Sequence, residues 1–400
     1  MNDKLSGVVN IKIDNAPSPE QSSKRFETDY ELDFREFMEV TNEESALEDF
    51  SYSNKAVQKA GRRLRKREGD LKSATATIQT FRAAHEKPLN TIAYMIGRCC
   101  RELDISVKPV KRLKRLETII DKLQRKSLDG TTENQTCVTN MNDIGGCRVI
   151  FPDIRSLSAV RERLVDTIQD EARVQIKDID DYIAAPKPND CGYRSLHIIY
   201  RYEHSSGKKF NIEAQLRTKL QHLWATTVEI VDILEQTKIK THSHSPDSEK
   251  SEIQIKWEEL LSIMSSYIAH LEGAIYLSEE NKIKLSHRLK QLNQDLNADT
   301  RLESFKIISE QAYSCCEKST KYLLLAVNEK SLKMIVSKEF NDKTEAIFVY
   351  NELEKLTQSL DDINVLLVST KHMGQLEEAY PNYLGDCASF IAILHDAMNN

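Results

Sequence analysis

Apolar residues recur at helical spacing over much of this chain and alternate with polar ones in a few short stretches. From 55 to 103 the spacing predicts helices, and the run GRRLRKREGDLK at 61–72 is strongly basic. Leu116, Ile119, Ile120 and Leu123 mark one buried helical face. Thr118 with Asp121 three residues on resembles a capping box, so this helix is expected to start at Thr118. CRVIF (147–151) reads as a short buried strand and SLSAVRERLVDTIQ (156–169) as an amphipathic helix. HIIYRYE and KFNIEAQLRT read as two strands joined through HSSGKK, a hairpin signal. KLQHLWATTVEIVDIL (219–234) closes this unit as a helix.

Beyond it the pattern changes twice. KIKTHSHSPDSEKSE (238–252) is a polar linker, and its His242 and His244 read as solvated side chains. Residues 253–298 are long amphipathic helices. In 321–400, KYLLLAVN, SLKMIVS and INVLLVS look like strands, whereas EAIFVYNELEKLTQSL and FIAILHDAM look like helices. The expected organisation has five parts: an acidic, partly disordered segment (1–54), a mixed helix–strand domain with basic helices before it (55–237), the linker (238–252), a helical connector (253–318), and a small ferredoxin-like module (319–400) with a regulatory role. The fold class is α+β.

Composition narrows the setting. Four hundred residues leave room for two or three domains. The net charge of −6 becomes informative only once located, because residues 27–49 hold ten acids against one base, Arg35. That segment reads as a solvated face or as a flap that competes with phosphate for a basic site. The basic run at 61–72 reads as a solvated helix or a polyanion contact. The eight cysteines show no CxxC pair or zinc-like spacing. No apolar run approaches the roughly 20 residues of a membrane span, and the first residues lack an apolar signal core. These features suit a soluble, reduced, cytoplasmic protein with no membrane partner.

Alternation along KFNIEAQLRT places Ile212, Ala214 and Leu216 on one face and Glu213, Gln215 and Arg217 on the other. On that strand alone the polar face could simply be solvated. A second carboxylate, Asp143, stands just before Gly145 and Gly146 and an apolar strand. Two carboxylates converging from neighbouring strands could hold Mg²⁺, which takes few protein oxygens and completes its shell with water and phosphate. In KPVKRLKRLETIIDK (108–122), Lys114, Thr118 and Lys122 recur every four residues. A helix starting there could bind phosphate through its free N–H groups, the Thr118 hydroxyl and the two ammonium groups. A solvated basic helix is the competing reading. Tyr193 could stack on a base or pack onto the sheet, and the guanidinium planes of Arg112 and Arg148 could stack on an adenine. Neither GxxxxGK[ST] nor GxGxxG occurs.

Four blocks in order, RLKRLETIIDK (112–122), DIGGCR (143–148), DYIAAPKP…GYRSLH (181–197) and IEAQLRTKLQHLWA (212–225), resemble the synthetase domain of the RelA/SpoT alarmone synthetases. The resemblance covers roughly residues 105–235. It implies a nucleotidyltransferase-like mixed sheet flanked by helices, which moves pyrophosphate from ATP to the 3′-hydroxyl of GDP or GTP with Mg²⁺. By the same resemblance Arg112 and Arg148 sandwich the adenine, and Lys114, Arg115, Thr118 and Lys122 hold the ATP phosphates. Most relatives carry Ser at the Thr118 position, which keeps the hydroxyl. Asp143 binds Mg²⁺, and Glu213 binds Mg²⁺ or takes the proton of the attacking hydroxyl. Tyr193 stacks on the acceptor base, while Lys187, His197, Gln215 and Arg217 shape the acceptor and phosphate sites.

Two departures bear on function. The family's Asn-Gly-Tyr loop is two residues longer here, running Asn189-Asp190-Cys191-Gly192-Tyr193. The hydrolase half of long family members has no counterpart, which implies synthesis without hydrolysis. Small members of the family include growth-arresting toxins that make adenosine alarmones or modify the CCA end of tRNA, so tRNA is an alternative partner. A catalytically silent nucleotide sensor is a further alternative. A homo-oligomer, or control by a partner protein through the C-terminal region, is expected.

Overall fold

A computed structural model describes residues 52–124, 137–169, 171–188, 190–235, 250–305, 321–328, 333–357, 363–369 and 383–399. The acidic segment at 27–49 and most of the linker, with His242 and His244, lie outside the described residues. Three helices lead in: α1 (Asn54–Lys66), α2 (Leu71–Ala83) and α3 (Glu86–Glu102). Ser53 and Asp70 cap the first two, each side chain accepting from a backbone N–H three residues on.

The sheet strands are β1 (Val110–Leu113), β2 (Gly145–Phe151), β3 (Val174–Asp181), β4 (Leu196–Glu203) and β5 (Lys209–Thr218). Their spatial order is β1-β2-β5-β4-β3, with β2 and β5 parallel and every other pair antiparallel. Helix α4 (Leu116–Gln124) follows β1, and α5 (Ile154–Ile168) follows β2. One sheet face carries Cys147, Val149, Phe151, Ile212, Ala214 and Leu216, all buried, and α3 and α5 pack against these strands. The mixed sheet flanked by helices is the fold expected from the sequence.

The structure corrects one local expectation and shows two strands that the pattern did not announce. Helix α4 starts at Leu116, because the Ile119 N–H already bonds to the Arg115 carbonyl. Thr118 therefore lies inside the first turn and does not cap it. Residues 110–113, in the basic run before that helix, form an edge strand whose mostly exposed side chains carry no apolar alternation. β3 was not legible as a strand, because a register shift between Ile176 and Asp178 interrupts its alternation.

Helix α6 (Lys219–Leu234) starts at a capping box formed by Thr218 and Gln221. Helix α7 (Glu252–Leu271) packs on it and α8 (Glu279–Leu296) packs on α7, in a core that includes Trp257, Leu260, Leu289 and Leu292. Strands β6 (Tyr322–Asn328), β7 (Lys333–Phe340) and β8 (Ile363–Ser369) form a sheet of order β7-β6-β8, and α9 (Lys343–Thr357) connects β7 to β8. This is a small α+β module: Leu324, Ala326, Phe340, Ala346 and Val365 form its core. Helix α10 (Tyr383–Asn399) instead buries Phe390 and Leu394 in the core shared by α6, α7 and α8.

Candidate active site

The second face of the sheet carries the charge. Partners directly opposite in neighbouring strands share a face. One row runs Arg112, Gly146, Glu213 and Ile199; the next runs Val110, Arg148, Gln215, His197 and Asp180. Arg112 and Arg148 thus lie on neighbouring strands, diagonal to each other and on the side of Glu213. A Cβ on Gly146 would come within 3.1 Å of the Glu213 carbonyl oxygen, so the smallest residue keeps the strands close here and leaves the face open.

Asp143 stands just before β2 and anchors one half of the site. The Lys114 ammonium donates to its carboxylate at 2.8 Å, and the Lys122 ammonium donates to both oxygens at 3.0 and 2.9 Å. Backbone contacts explain why Lys114 arrives there. Its N–H donates to the Ile144 carbonyl at 2.7 Å, and Arg82 of α2 donates to the Lys114 carbonyl at 2.6 Å. Burial raises the Asp143 carboxyl, but the two ammonium groups more than offset it and hold it down at about 2.

Glu213 anchors the other half. Its Oε2 accepts from the Gln215 amide at 2.8 Å, and its Oε1 lies 3.4 Å from Nδ1 of His197. Nε2 of His197 lies 2.7 Å from the Tyr193 hydroxyl, which also accepts from Arg217. A neutral imidazole with its proton on Nδ1 satisfies this chain, donating to Glu213 and accepting from Tyr193. Burial raises the Glu213 carboxyl and the charge of Asp143 adds to that, yet His197 and Gln215 hold it below the ordinary value. Burial lowers His197, but Glu213 and Tyr193 outweigh it and the ring ends above its ordinary value. Burial raises the Tyr193 phenol, whereas Arg217 and His197 bring it down to about 8.

Tyr193 is half-buried rather than fully open. The Arg217 guanidinium lies 4.9 Å from its ring centroid, and Tyr182, His197 and Trp224 meet it edge-on. Lys187 sends its ammonium toward Asp190 at 3.6 Å, and the loop closes on itself through Lys187 N–H to the Tyr193 carbonyl at 2.9 Å. Thr118 is half-buried in the first turn of α4, Arg115 is half-buried just before it, and Arg112 is exposed. A cleft of about 410 Å³ opens by Val110 and Ile150, one register step beyond Arg148, and does not reach the carboxylates.

Mg²⁺ suits this donor set. It needs one or two carboxylates and fills the rest of its shell with water and phosphate oxygens. Asp143 and Glu213 are both held below the ordinary carboxyl value, and the charge of Asp143 is felt at Glu213. Among the described residues no group of three or more His, Cys, Asp or Glu side chains converges, so a site built wholly from protein ligands is not offered there.

Sequence reasoning gave no role to Arg82, Tyr182, Arg194 or Trp224. Arg194 is buried and donates to the carbonyls of Ile183 and Ala184 at 2.6 and 2.8 Å, which shapes the loop before Tyr193. The Arg-Ser-Leu-His run was its only signal. Among the described residues no helix is long and apolar enough to cross a membrane.

Residues 111–231 match the model of the region found in RelA/SpoT proteins. Among solved structures, the small alarmone synthetase 1 from Bacillus subtilis bound to pppGpp is 20% identical, over 50% of this chain and 94% of that one, at a TM-score of 0.38. A GTP pyrophosphokinase family protein from Streptococcus pneumoniae is 19% identical, over 54% of this chain and 96% of that one, at 0.36. The small alarmone synthetase 2 from Bacillus subtilis is 20% identical, over 48% and 94%, also at 0.36. No curated protein matches the chain. Both carboxylates, with Arg112, Lys114, Lys122, Arg148, Tyr193, His197 and Arg217, fall within residues 111–231, the span that matches the region found in RelA/SpoT proteins.

Proposed function

We propose that the protein is an ATP-dependent pyrophosphokinase that transfers pyrophosphate from ATP to the 3′-hydroxyl of GDP or GTP, making (p)ppGpp-type alarmones without hydrolysing them. One observation carries this reading: Glu213 shares a strand face with Arg112 and Arg148, and it feels the charge of Asp143, a second ionised carboxylate paired with Lys114 and Lys122, all within residues 111–231.

Asp143, with Glu213, would hold Mg²⁺, which when bound neutralises charge on the transferring phosphoryl groups. Lys114 and Lys122 already pair with an anion at Asp143, and nucleotide phosphates offer them a second one. Arg115 and the Thr118 hydroxyl add donors at the first turn of α4, where the helix dipole favours negative charge. Arg112 and Arg148 supply planes for the adenine. Tyr193 supplies a ring for the acceptor base, with Lys187, Gln215 and Arg217 around it. The acceptor oxygen attacks the β-phosphorus of ATP, the bond to the α–β bridging oxygen breaks, and AMP leaves. Glu213 takes the hydroxyl proton while His197 and Gln215 hold its carboxylate in place.

A second reading, pyrophosphate transfer to the CCA end of tRNA, is favoured by α1. Lys55, Lys59, Arg62 and Lys66 are exposed at helical spacing on one side of it, a cationic stripe about 16 Å long. That helix packs on α4, which carries Thr118 and Lys122.

One experiment separates the readings. The protein is incubated with γ-labelled ATP and GDP, GTP, ADP or bulk tRNA. Label on GDP or GTP that persists on prolonged incubation is expected. Label on tRNA or ADP alone selects an alternative acceptor. Nucleotide binding with no transfer to any acceptor overturns pyrophosphokinase activity and leaves a silent sensor.

A further inference from the structure

The loop 183–194, which ends in Tyr193 and Arg194, is held by helix α7, outside the RelA/SpoT region. A single hydroxyl makes the junction. Ser265 Oγ donates to the Gly192 carbonyl and accepts from Nε of Arg194 at 3.0 Å. The same guanidinium reaches the carbonyls of Ile183 and Ala184 at the other end of the loop. Ser265 and Arg194 are both buried, at 3% and 5% exposure. Separating them would strand a buried guanidinium, a hydroxyl and a peptide carbonyl, which costs far more than losing solvated hydrogen bonds.

Close packing reinforces the junction. Gly192 has a φ of +105°, and a Cβ there would come within 2.7 Å of Ser265 Cβ, so its backbone lies directly on α7. Cys191 and Tyr193, on either side, pack against the core shared by α6, α7, α8 and α10. Trp224, edge-on to Tyr193, donates its indole N–H to the Leu261 carbonyl of α7 at 2.7 Å.

We propose that α7 is part of the acceptor site, with Ser265 as a positioning residue that sets where Tyr193 meets the acceptor base. Acceptor affinity is then decided jointly by the RelA/SpoT region and by a helical bundle beyond it. The inference rests on the reading of Tyr193 as the residue that stacks on the acceptor.

The test uses the full-length chain carrying Ser265→Ala, with Ser265→Thr to restore the hydroxyl. Ser266→Ala is the control, since its exposed hydroxyl bonds only to Ser262 of its own helix. Acceptor KM should rise at least about tenfold in Ser265→Ala, in line with the loss of the two buried hydrogen bonds its hydroxyl makes, and fall back at least partly in Ser265→Thr. KM for ATP should stay within about twofold of wild type. Hydrogen exchange at the amides of 183–194 should accelerate in Ser265→Ala and not in Ser266→Ala, whichever acceptor the enzyme uses and even if it transfers nothing. Absence of transfer by the wild-type protein would therefore sink the proposed function, whereas unchanged exchange in this loop would sink the Ser265 clamp. Equal rises in both KM values would also overturn it, by showing general loss of structure.

Discussion

Asp143 and Glu213 are near enough for the charge of one to act on the other, yet their surroundings differ in kind. Asp143 is gripped by two ammonium groups on long flexible stems, Lys114 and Lys122. Glu213 is held by an amide and an imidazole, and the imidazole is itself fixed through Tyr193 to Arg217. The first arrangement can exchange partners, because a lysine can leave one anion for another with little loss of geometry. The second is a chain of short planar groups on a buried strand, so its geometry is set before any ligand arrives. A cation site benefits from the first kind of environment and a base from the second.

The comparison breaks most easily at the carboxylates themselves. Asp143→Asn and Glu213→Gln should each lower the transfer rate at least about 100-fold, with circular dichroism unchanged. A folded Glu213→Gln protein that transfers at the wild-type rate would reduce Glu213 to a scaffold residue and leave Asp143 as the only chemical group of the pair.

Tyr193 sharpens the second half. Tyr193→Ala should lose about 1–3 kcal/mol of acceptor binding, with ATP binding nearly unchanged, measured by calorimetric titration of each nucleotide. Tyr193→Phe keeps the ring and removes the hydroxyl between His197 and Arg217. Its acceptor binding should stay near wild type while its rate falls about tenfold, for loss of the hydrogen bond that steadies His197. Equal losses of ATP and acceptor binding in Tyr193→Ala would identify a structural tyrosine instead.

The smallest effect is on stability against pH, and it belongs to Asp143. Its carboxyl is held at about 2 in the fold, whereas an unfolded aspartate titrates near 4. The unfolded chain therefore binds more protons between these values. The contribution, up to about 2 kcal/mol, is present above pH 4 and lost as pH falls toward 2. His85 acts in a higher window. Buried between Phe81 and Phe210, it is pushed down to about 4, so protonation on unfolding removes stability as pH falls from about 6.5 to 4. Urea midpoints should fall less steeply between about pH 4 and 2 in Asp143→Asn than in the wild type, with the slope from about pH 6.5 to 4 unchanged. An acid slope equally steep in both proteins would contradict the lysine pairing.

Local pattern carried the hairpin of β4 and β5, the polar and apolar faces of β5, the helix after it and the position of Asp143 just before Gly145, Gly146 and the buried strand β2. Each follows from side-chain periodicity or turn chemistry within a few residues. Pattern failed at Val110–Leu113, an edge strand with little to bury, and at β3, whose register shift hides the period. It also missed the Thr218–Gln221 capping box, a signal present in plain spacing.

By itself the sequence determined which residues carry charge and which strand faces they share, because strand and helix periods are local properties of the backbone. Only the tertiary structure decided who partners whom: two lysines on Asp143, an imidazole between Glu213 and Tyr193, α10 in the bundle with α6 to α8, and Ser265 beneath the acceptor loop. Apart from His197 with Tyr193, four positions away, those pairings join residues far apart in the chain, and they are chosen by burial and hydrogen-bond satisfaction in the assembled core, which no local period encodes.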